Sequence, residues 1–181
     1  MPRYYRMENM EQTDTPQLNW HAVLVKSRHE FKSTEKLLSK GIETFLPSVE
    51  KLRKWKDRKK LVAFPLFPGY LFVHTTKRPD DLLSVLKVPG VVRMLCTLPG
   101  EPDVIPDEQI TSLIKLVENK EALDPYPYLT EGQRVNITKG PLAGVEGILV
   151  EKLDKHILVL SVDVLQQGVA LTIDAADVEK V

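Results

Sequence analysis

The pattern of hydrophobic residues changes near residue 121, and this change is what most limits the folds open to the chain. Before it, apolar residues recur at both strand and helix spacing; after it, short β-rich runs alternate with glycine and proline turns at roughly 8 to 12 residue intervals. Between the two parts, 121–128 contains Pro125 and Pro127 and no periodic apolar pattern, which is typical of a linker. The sequence therefore predicts two small domains.

The first part, residues 19–120, predicts an α+β domain with one antiparallel sheet flanked by helices. Residues 1–18 are polar and without periodicity, so we interpret them as a disordered extension. Phe31, Leu37 and Leu38 recur at helix spacing before Gly41, which we expect to end that helix, and Asp107 is expected to cap the last helix. The predicted strands are 20–25, 42–47, 66–73 and 91–95, and the predicted helices are 28–40, 79–86 and one that begins at 107.

The second part, residues 129–181, predicts a small β-barrel or sandwich. Its strands are short, and glycine or proline turns separate them. A domain of this size has a thin hydrophobic core, so we expect its stability in isolation to be marginal.

The charges are unevenly distributed although the chain as a whole has a net charge of zero. Residues 20–78 contain 14 basic and 5 acidic side chains, a local excess of +9, whereas residues from 126 onward are net −3, with 5 basic and 8 acidic ones. Electrostatic fields act over about 8 to 10 Å in physiological salt, so the first part behaves as a basic body whatever the total. Nucleic acid is therefore a candidate partner.

Two segments concentrate this positive charge. The first is the predicted helix, where Lys32 and Lys36 lie four residues apart on the same face as His29, with Lys26 and Arg28 just before them. The second is the run 51–60, with seven basic residues in ten, which we expect to be a projecting hairpin or loop. This run is either a solvated charged loop or a site where Trp55 stacks on an unpaired base.

Several function classes lack the residues they need. Cys96 is the single cysteine, so no intramolecular disulfide can form, and the four histidines are too scattered for a zinc site. The chain contains no phosphate loop, nucleophile elbow or zinc-protease motif. We therefore expect a binding protein and not an enzyme, with no cofactor and no metal. The acidic start and the short apolar stretches predict no secretory signal and no membrane span, hence a cytoplasmic location.

Four motifs in order resemble the NusG family of transcription elongation factors. They are the strand that begins at Trp20, the run Phe67-Pro68-Gly69-Tyr70-Leu71-Phe72-Val73, the turn Val88-Pro89-Gly90-Val91, and a KOW-like segment from Gly132 to Gly147. Each motif is weak alone, but together they cover nearly all of the chain after residue 19. The end of the chain is most similar to specialised antiterminator paralogues of the RfaH and UpxY type.

The resemblance implies an N-terminal NGN domain at 19–120 and a C-terminal SH3-like KOW barrel at 129–181. It also implies a transcription elongation or antitermination factor that is monomeric and binds the RNA polymerase clamp through an apolar pocket containing Trp20, Phe67 and Tyr70. The basic residues Lys26, Arg28, His29, Lys32 and Lys36 would contact the non-template DNA strand. Such a factor suppresses pausing or termination, and its KOW domain meets a ribosomal protein or a termination factor, with Leu165 as a contact.

The predicted polymerase and KOW contacts have structural alternatives. For Phe67 and Tyr70 we favour exposure in a pocket over burial in the core, and for Trp20 the two are evenly balanced. Leu165 is as easily a barrel core residue as an exposed contact. The alternative function is that of a KOW-containing, RNA-binding ribosomal or ribosome-assembly protein, although such a protein has no need of the α+β domain before the barrel.

Overall fold

The computed structural model describes residues 16–54, 59–119, 123–127, 132–152 and 155–181. Within these ranges the first domain contains three helices and six strands, and the second contains six strands. The helices are α1 (Glu30–Ser39), α2 (Pro79–Leu86) and α3 (Asp107–Glu118). The strands of the first domain are β1 (Asn19–Val25), β2 (Glu43–Phe45), β3 (Ser48–Lys54), β4 (Lys59–Pro65), β5 (Tyr70–Thr75) and β6 (Val91–Met94). Those of the second are β7 (Asp124–Pro127), β8 (Gln133–Ile137), β9 (Glu146–Lys152), β10 (Lys155–Val162), β11 (Gln167–Ile173) and β12 (Val178–Lys180).

The first domain is built on a four-stranded antiparallel sheet in the order β2-β5-β1-β6. Alternate residues of a strand point to opposite faces, so β1 sends Val23 and Val25 to one side and Trp20 and Ala22 to the other. On the side of Val23, the sheet packs with Leu37 of α1 and other buried residues into one apolar cluster. On the side of Trp20, it packs with α3. The predicted sheet flanked by helices is confirmed.

Two local predictions in the helices are wrong. The apolar spacing of Leu37 and Leu38 predicts that both face the core, but Leu38 is exposed while Leu37 is fully buried, because neighbouring residues of a helix point about 100° apart and the apolar stripe here is narrow. Asp107 is the first residue of α3 and makes no side-chain capping hydrogen bond; Pro106 precedes it as the cap position. Negative charge in the first turn, from Asp107 and Glu108, still complements the helix dipole.

The second domain is a six-stranded antiparallel sheet in the order β12-β8-β9-β10-β11-β7, a barrel-like arrangement that matches the predicted fold class. Its buried side chains include Val135, Val145, Leu158 and Val169. Residues 124–127, which we placed in the linker, form β7 and pair with β11. Proline has no N–H to donate, but β7 lies at the edge of the sheet, where Pro125 and Pro127 are tolerated.

No helix within the described ranges has the length and apolar character needed to cross a membrane.

Candidate functional site

The aromatic residues predicted to form a partner pocket lie together against one face of the first sheet. Trp20 is on β1, Tyr70 begins β5, and Phe67 stands just before that strand. Phe67 meets Phe72 edge to face, with ring centroids 6.0 Å apart, and Trp20 stacks on His74 at 4.7 Å. We call Trp20, Phe67, Tyr70 and Phe72 the aromatic cluster.

The aromatic cluster is covered in this conformation. Phe67 is 1% exposed and Trp20 is 8% exposed, so the predicted exposure of Phe67 is wrong and Trp20 follows its core alternative. Tyr70 is partly buried and lies at the edge of the same apolar cluster. The physical reason is that α3 lies over this face of the sheet and contributes buried side chains to the cluster.

The second domain is docked on α3. Gln109 Nε2 donates to Asp163 Oδ2 at 3.0 Å, and Lys115 Nζ donates to the carbonyl oxygen of Ala143 at 3.3 Å. The apolar cluster that contains Trp20 and Phe67 continues without interruption into the buried side chains of the barrel. A cleft of about 490 Å³, lined by residues of both domains, shows that the packing between them is not close everywhere.

The predicted nucleic-acid residues lie along the start of α1, and we call Lys26, Arg28, His29, Lys32 and Lys36 the basic ridge. Lys26, Arg28 and Lys32 are exposed, whereas His29 and Lys36 are partly buried. His29 precedes the helix, and its Nδ1 lies 3.0 Å from the carbonyl oxygen of Ser27. The structure thus exposes three cations of the ridge to solvent.

The chain at the start of the basic ridge is tied to two proline-glycine turns of the first domain, Pro68-Gly69 and Pro89-Gly90. The N–H of Val25 donates to the carbonyl oxygen of Gly69 at 2.8 Å, and the N–H of Lys26 donates to that of Gly90 at 2.8 Å. Arg28 adopts φ +63, which is uncommon for a residue with a side chain. The ridge is therefore positioned by the same loops that shape the end of the sheet next to Tyr70.

Glu30 completes this arrangement, although it was not among the predicted site residues. Its carboxylate is buried, with 6% of the residue exposed, and Oε1 accepts the N–H of Gly69 at 2.9 Å. An acidic residue in the first turn of a helix is stabilised by the helix dipole. This preference is the signal in the sequence that could have pointed to Glu30. Glu30 thus links the start of α1, where the basic ridge lies, to the turn between Phe67 and Tyr70.

A family model described as Transcription termination factor nusG matches residues 18–114. The matched segment is more than half of the chain and contains both the aromatic cluster and the basic ridge. The chain belongs to the NusG family.

Curated relatives agree with this assignment. The chain is 25% identical over 159 residues to the Transcription termination/antitermination protein NusG of Buchnera aphidicola subsp. Baizongia pistaciae, covering 86% of each chain. It is 28% identical over 152 residues to the Thermus thermophilus protein of the same name, covering 74% of this chain and 82% of that one. A structure that concerns domain interaction in Thermotoga maritima NusG has a TM-score of 0.54 at 23% identity, covering 91% and 98% of the two chains, and it supports the fold.

Membership in the NusG family confirms the resemblance inferred from the four motifs. The family match includes the α+β domain before the barrel, which a ribosomal KOW protein does not need. That alternative function therefore has no support in the comparisons.

The predicted contact on the KOW barrel is not on the surface. Leu165 ends the 3₁₀ turn Asp163–Leu165 and is 6% exposed, as its core alternative requires. Gln166, directly after it, is exposed and has φ +52. Trp55, the proposed stacking residue of the basic run, lies outside the described residues.

One buried histidine was missed by the sequence reasoning. His21 on β1 is fully buried, its Nδ1 lies 2.8 Å from the carbonyl oxygen of Asp103, and its Nε2 has no hydrogen-bond partner among the described residues. Burial lowers the pKa of His21 below its usual 6.5. The neutral imidazole, with Nδ1–H donating to Asp103, satisfies this geometry.

Among the described residues, no group of three or more histidine, cysteine, aspartate or glutamate side chains is arranged to hold a metal ion.

Proposed function

We propose that this NusG family member is a cytoplasmic transcription factor that binds RNA polymerase through its first domain and suppresses pausing or termination. The observation that carries the proposal is the family match over 18–114, the part of the chain that holds the aromatic cluster beside the basic ridge. The curated relatives carry the name termination/antitermination protein, which supports this function.

The polymerase contact that we propose is the aromatic cluster, with Tyr70 at its exposed edge. Aromatic side chains are enriched in protein interfaces because they bury a large area at a small cost in conformational entropy. The partner is a helical tip of the polymerase clamp, as the family resemblance implies. Phe67 and Trp20 are covered here, so we propose that the clamp and the second domain compete for this face.

Exposed polar contacts and a shared apolar cluster hold the second domain on α3. Gln109 with Asp163 and Lys115 with Ala143 are exposed hydrogen bonds that water can replace, whereas the clamp would have to replace the apolar contacts that the barrel makes in the cluster. The released barrel would meet a ribosomal protein or a termination factor, with exposed residues around Gln166 in place of buried Leu165.

The proposed effect on transcription requires only a modest difference in affinity for elongating and paused polymerase. A bound factor shifts the balance between elongating and paused polymerase by its difference in affinity for the two states. About 1.4 kcal/mol of that difference changes the ratio tenfold. The basic ridge contributes by holding the non-template strand while the first domain stays on the polymerase.

Tyr70→Ala tests the polymerase contact. We expect binding to RNA polymerase to weaken at least tenfold while the thermal unfolding curve moves little, since Tyr70 is only partly buried. Tyr70→Phe is the matched control, because it keeps the ring and should bind like the natural protein. Phe67→Ala, in contrast, should unfold the domain, at a cost of about 3 to 5 kcal/mol. Undiminished binding by Tyr70→Ala would refute the proposed contact.

A second experiment tests competition between the clamp and the barrel. Cysteines replace Gln109 and Asp163, whose side chains meet at 3.0 Å, in a Cys96→Ser background, and a short thiol crosslinker joins them. We expect the crosslinked protein to lose polymerase binding and the uncrosslinked one to keep it. Equal binding by both forms would show that the clamp does not need the face covered by the barrel.

The basic ridge is tested by salt dependence. Each contact with a phosphate of a single strand contributes about 0.7 to the slope of log affinity against log salt, so Lys32→Gln with Lys36→Gln should lower the slope by about 1.4. Lys139→Gln with Lys180→Gln removes the same charge from the second domain and should leave the slope unchanged. A ridge variant with the natural slope would exclude these lysines from DNA contact.

A further inference from the structure

Strands β3 and β4 form a ribbon that belongs to neither of the two larger sheets. They pair only with each other within the described residues, over seven residues each, from Ser48 opposite Pro65 to Lys54 opposite Lys59. At about 3.4 Å per residue the ribbon is roughly 24 Å long. We call these two strands the β3–β4 ribbon.

The β3–β4 ribbon holds the densest positive charge of the molecule. Its two strands contain five basic residues, Lys51, Arg53, Lys54, Lys59 and Lys60, and one acidic residue, Glu50, for a net charge of +4 in a chain of net charge zero. On the described strands Lys51, Arg53, Lys59 and Lys60 are exposed. The ribbon therefore presents a cationic surface in a separate element from the basic ridge on α1.

One pair of these charges destabilises the ribbon. Arg53 lies directly opposite Lys60 in the register, and like charges in such positions repel. Arg53 lies over the ring of Phe64, 5.2 Å from its centroid, which offsets part of that cost. Binding to a polyanion would relieve the repulsion.

The shape of the ribbon selects the class of polyanion. A two-stranded β-ribbon fits the major groove of B-form DNA, which is about 12 Å wide, whereas the major groove of an A-form RNA helix is too narrow to admit it. Leu52 and Leu61 are paired on one face and are 59% and 58% exposed, so the ribbon also has an exposed apolar patch.

We propose that the β3–β4 ribbon is a second nucleic-acid site, which binds double-stranded DNA through its phosphates without sequence preference. This site goes beyond the proposed function, since it does not require RNA polymerase and uses none of the residues of the basic ridge. It would let the protein hold duplex DNA and a separated strand at the same time.

The test compares two double variants of the full chain on a 20-base-pair DNA duplex and on a single-stranded oligonucleotide of thymidines. Each contact with a duplex phosphate contributes about 0.9 to the salt slope, so Lys59→Gln with Lys60→Gln should lower the duplex slope by about 1.8. Between 50 and 200 mM salt this variant should then lose about tenfold less affinity than the natural protein. For the single-stranded oligonucleotide, the salt slope of this variant should equal that of the natural protein.

Lys139→Gln with Lys180→Gln is the matched control, because it removes the same charge from exposed positions of the second domain. We expect it to keep the natural slope on duplex DNA. Lys59→Arg with Lys60→Arg should also keep that slope, since arginine retains the charge. All substituted side chains of the ribbon are exposed, so the thermal unfolding curve checks that the fold is intact.

Three results would overturn the proposal. One is the absence of duplex binding by the natural protein at 50 mM salt, and another is an equal loss on both DNAs in the ribbon variant, which would indicate a general charge effect. The third is equal or tighter binding of an RNA duplex of the same sequence, which would exclude insertion into a B-form groove. None of these results depends on the polymerase contact at Tyr70, so the two proposals can fail separately.

Discussion

Replacing Glu30 with alanine should break the hydrogen bond that links the start of α1, where the basic ridge lies, to the turn beside the aromatic cluster. The Glu30 carboxylate is buried at the start of α1 and accepts the N–H of Gly69 at 2.9 Å, in the turn between Phe67 and Tyr70. Glu30→Ala removes the carboxylate acceptor, so the Gly69 N–H loses this hydrogen bond. It also removes a negative charge from the first turn of the helix.

The expected cost follows from these two losses. A hydrogen bond to a charged group contributes about 1.5 to 3 kcal/mol, and an acid in the first turn of a helix contributes about 0.3 to 1 kcal/mol. We therefore expect Glu30→Ala to lower the free energy of unfolding of the first domain by about 2 to 4 kcal/mol. For a domain of about 100 residues this lowers the Tm by about 8 °C or more. Glu30→Gln keeps an acceptor oxygen without the charge, so its loss should be smaller, about 1 kcal/mol.

Urea unfolding measures these free energies, and hydrogen exchange at the Gly69 amide reports the local bond directly. We expect the Gly69 amide to exchange faster in Glu30→Ala. Glu35→Ala is the matched control, because Glu35 is exposed on the same helix and its replacement should change the stability by less than about 0.5 kcal/mol. Equal free energies of unfolding for Glu30→Ala and this control would show that the carboxylate does not hold the turn against α1.

Two further predictions concern buried contacts in the first domain. Burial lowers the pKa of His21, so below about pH 6.5 the unfolded chain binds more protons than the folded one, and stability should fall as the pH drops from 7.5 to 5. His21→Gln should flatten this dependence in urea unfolding, and an unchanged profile would show that His21 does not titrate. Gly90→Ala should destabilise by about 1 to 3 kcal/mol, because Gly90 has φ +102 and an added Cβ would lie within 2.4 Å of Ser33 Oγ. Gly41→Ala has a similar φ of +77 but open space around it, so an equal loss in both variants would exclude the steric contribution.

The sequence alone predicted the elements that depend on local pattern. Helix α2 has the predicted bounds, and β1 and α1 differ from prediction by one or two residues at their ends, because hydrophobic periodicity and proline or glycine at the boundaries are local signals. The four motifs were sufficient to infer the family, and the excess of lysine and arginine predicted a basic face on the first domain.

The tertiary structure decided which of these residues are accessible. Phe67 and Leu165 had exposed and buried alternatives, and both proved buried, because burial depends on α3 and on strands distant in the sequence. The contact of Glu30 with Gly69 joins residues 39 positions apart, and no local spacing encodes it. The sequence predicts a linker at 124–127 because proline disfavours regular structure. In the fold these residues pair with β11 as the edge strand of the sheet. Chain pattern thus determined the elements, whereas long-range packing determined which side chains remain available to a partner.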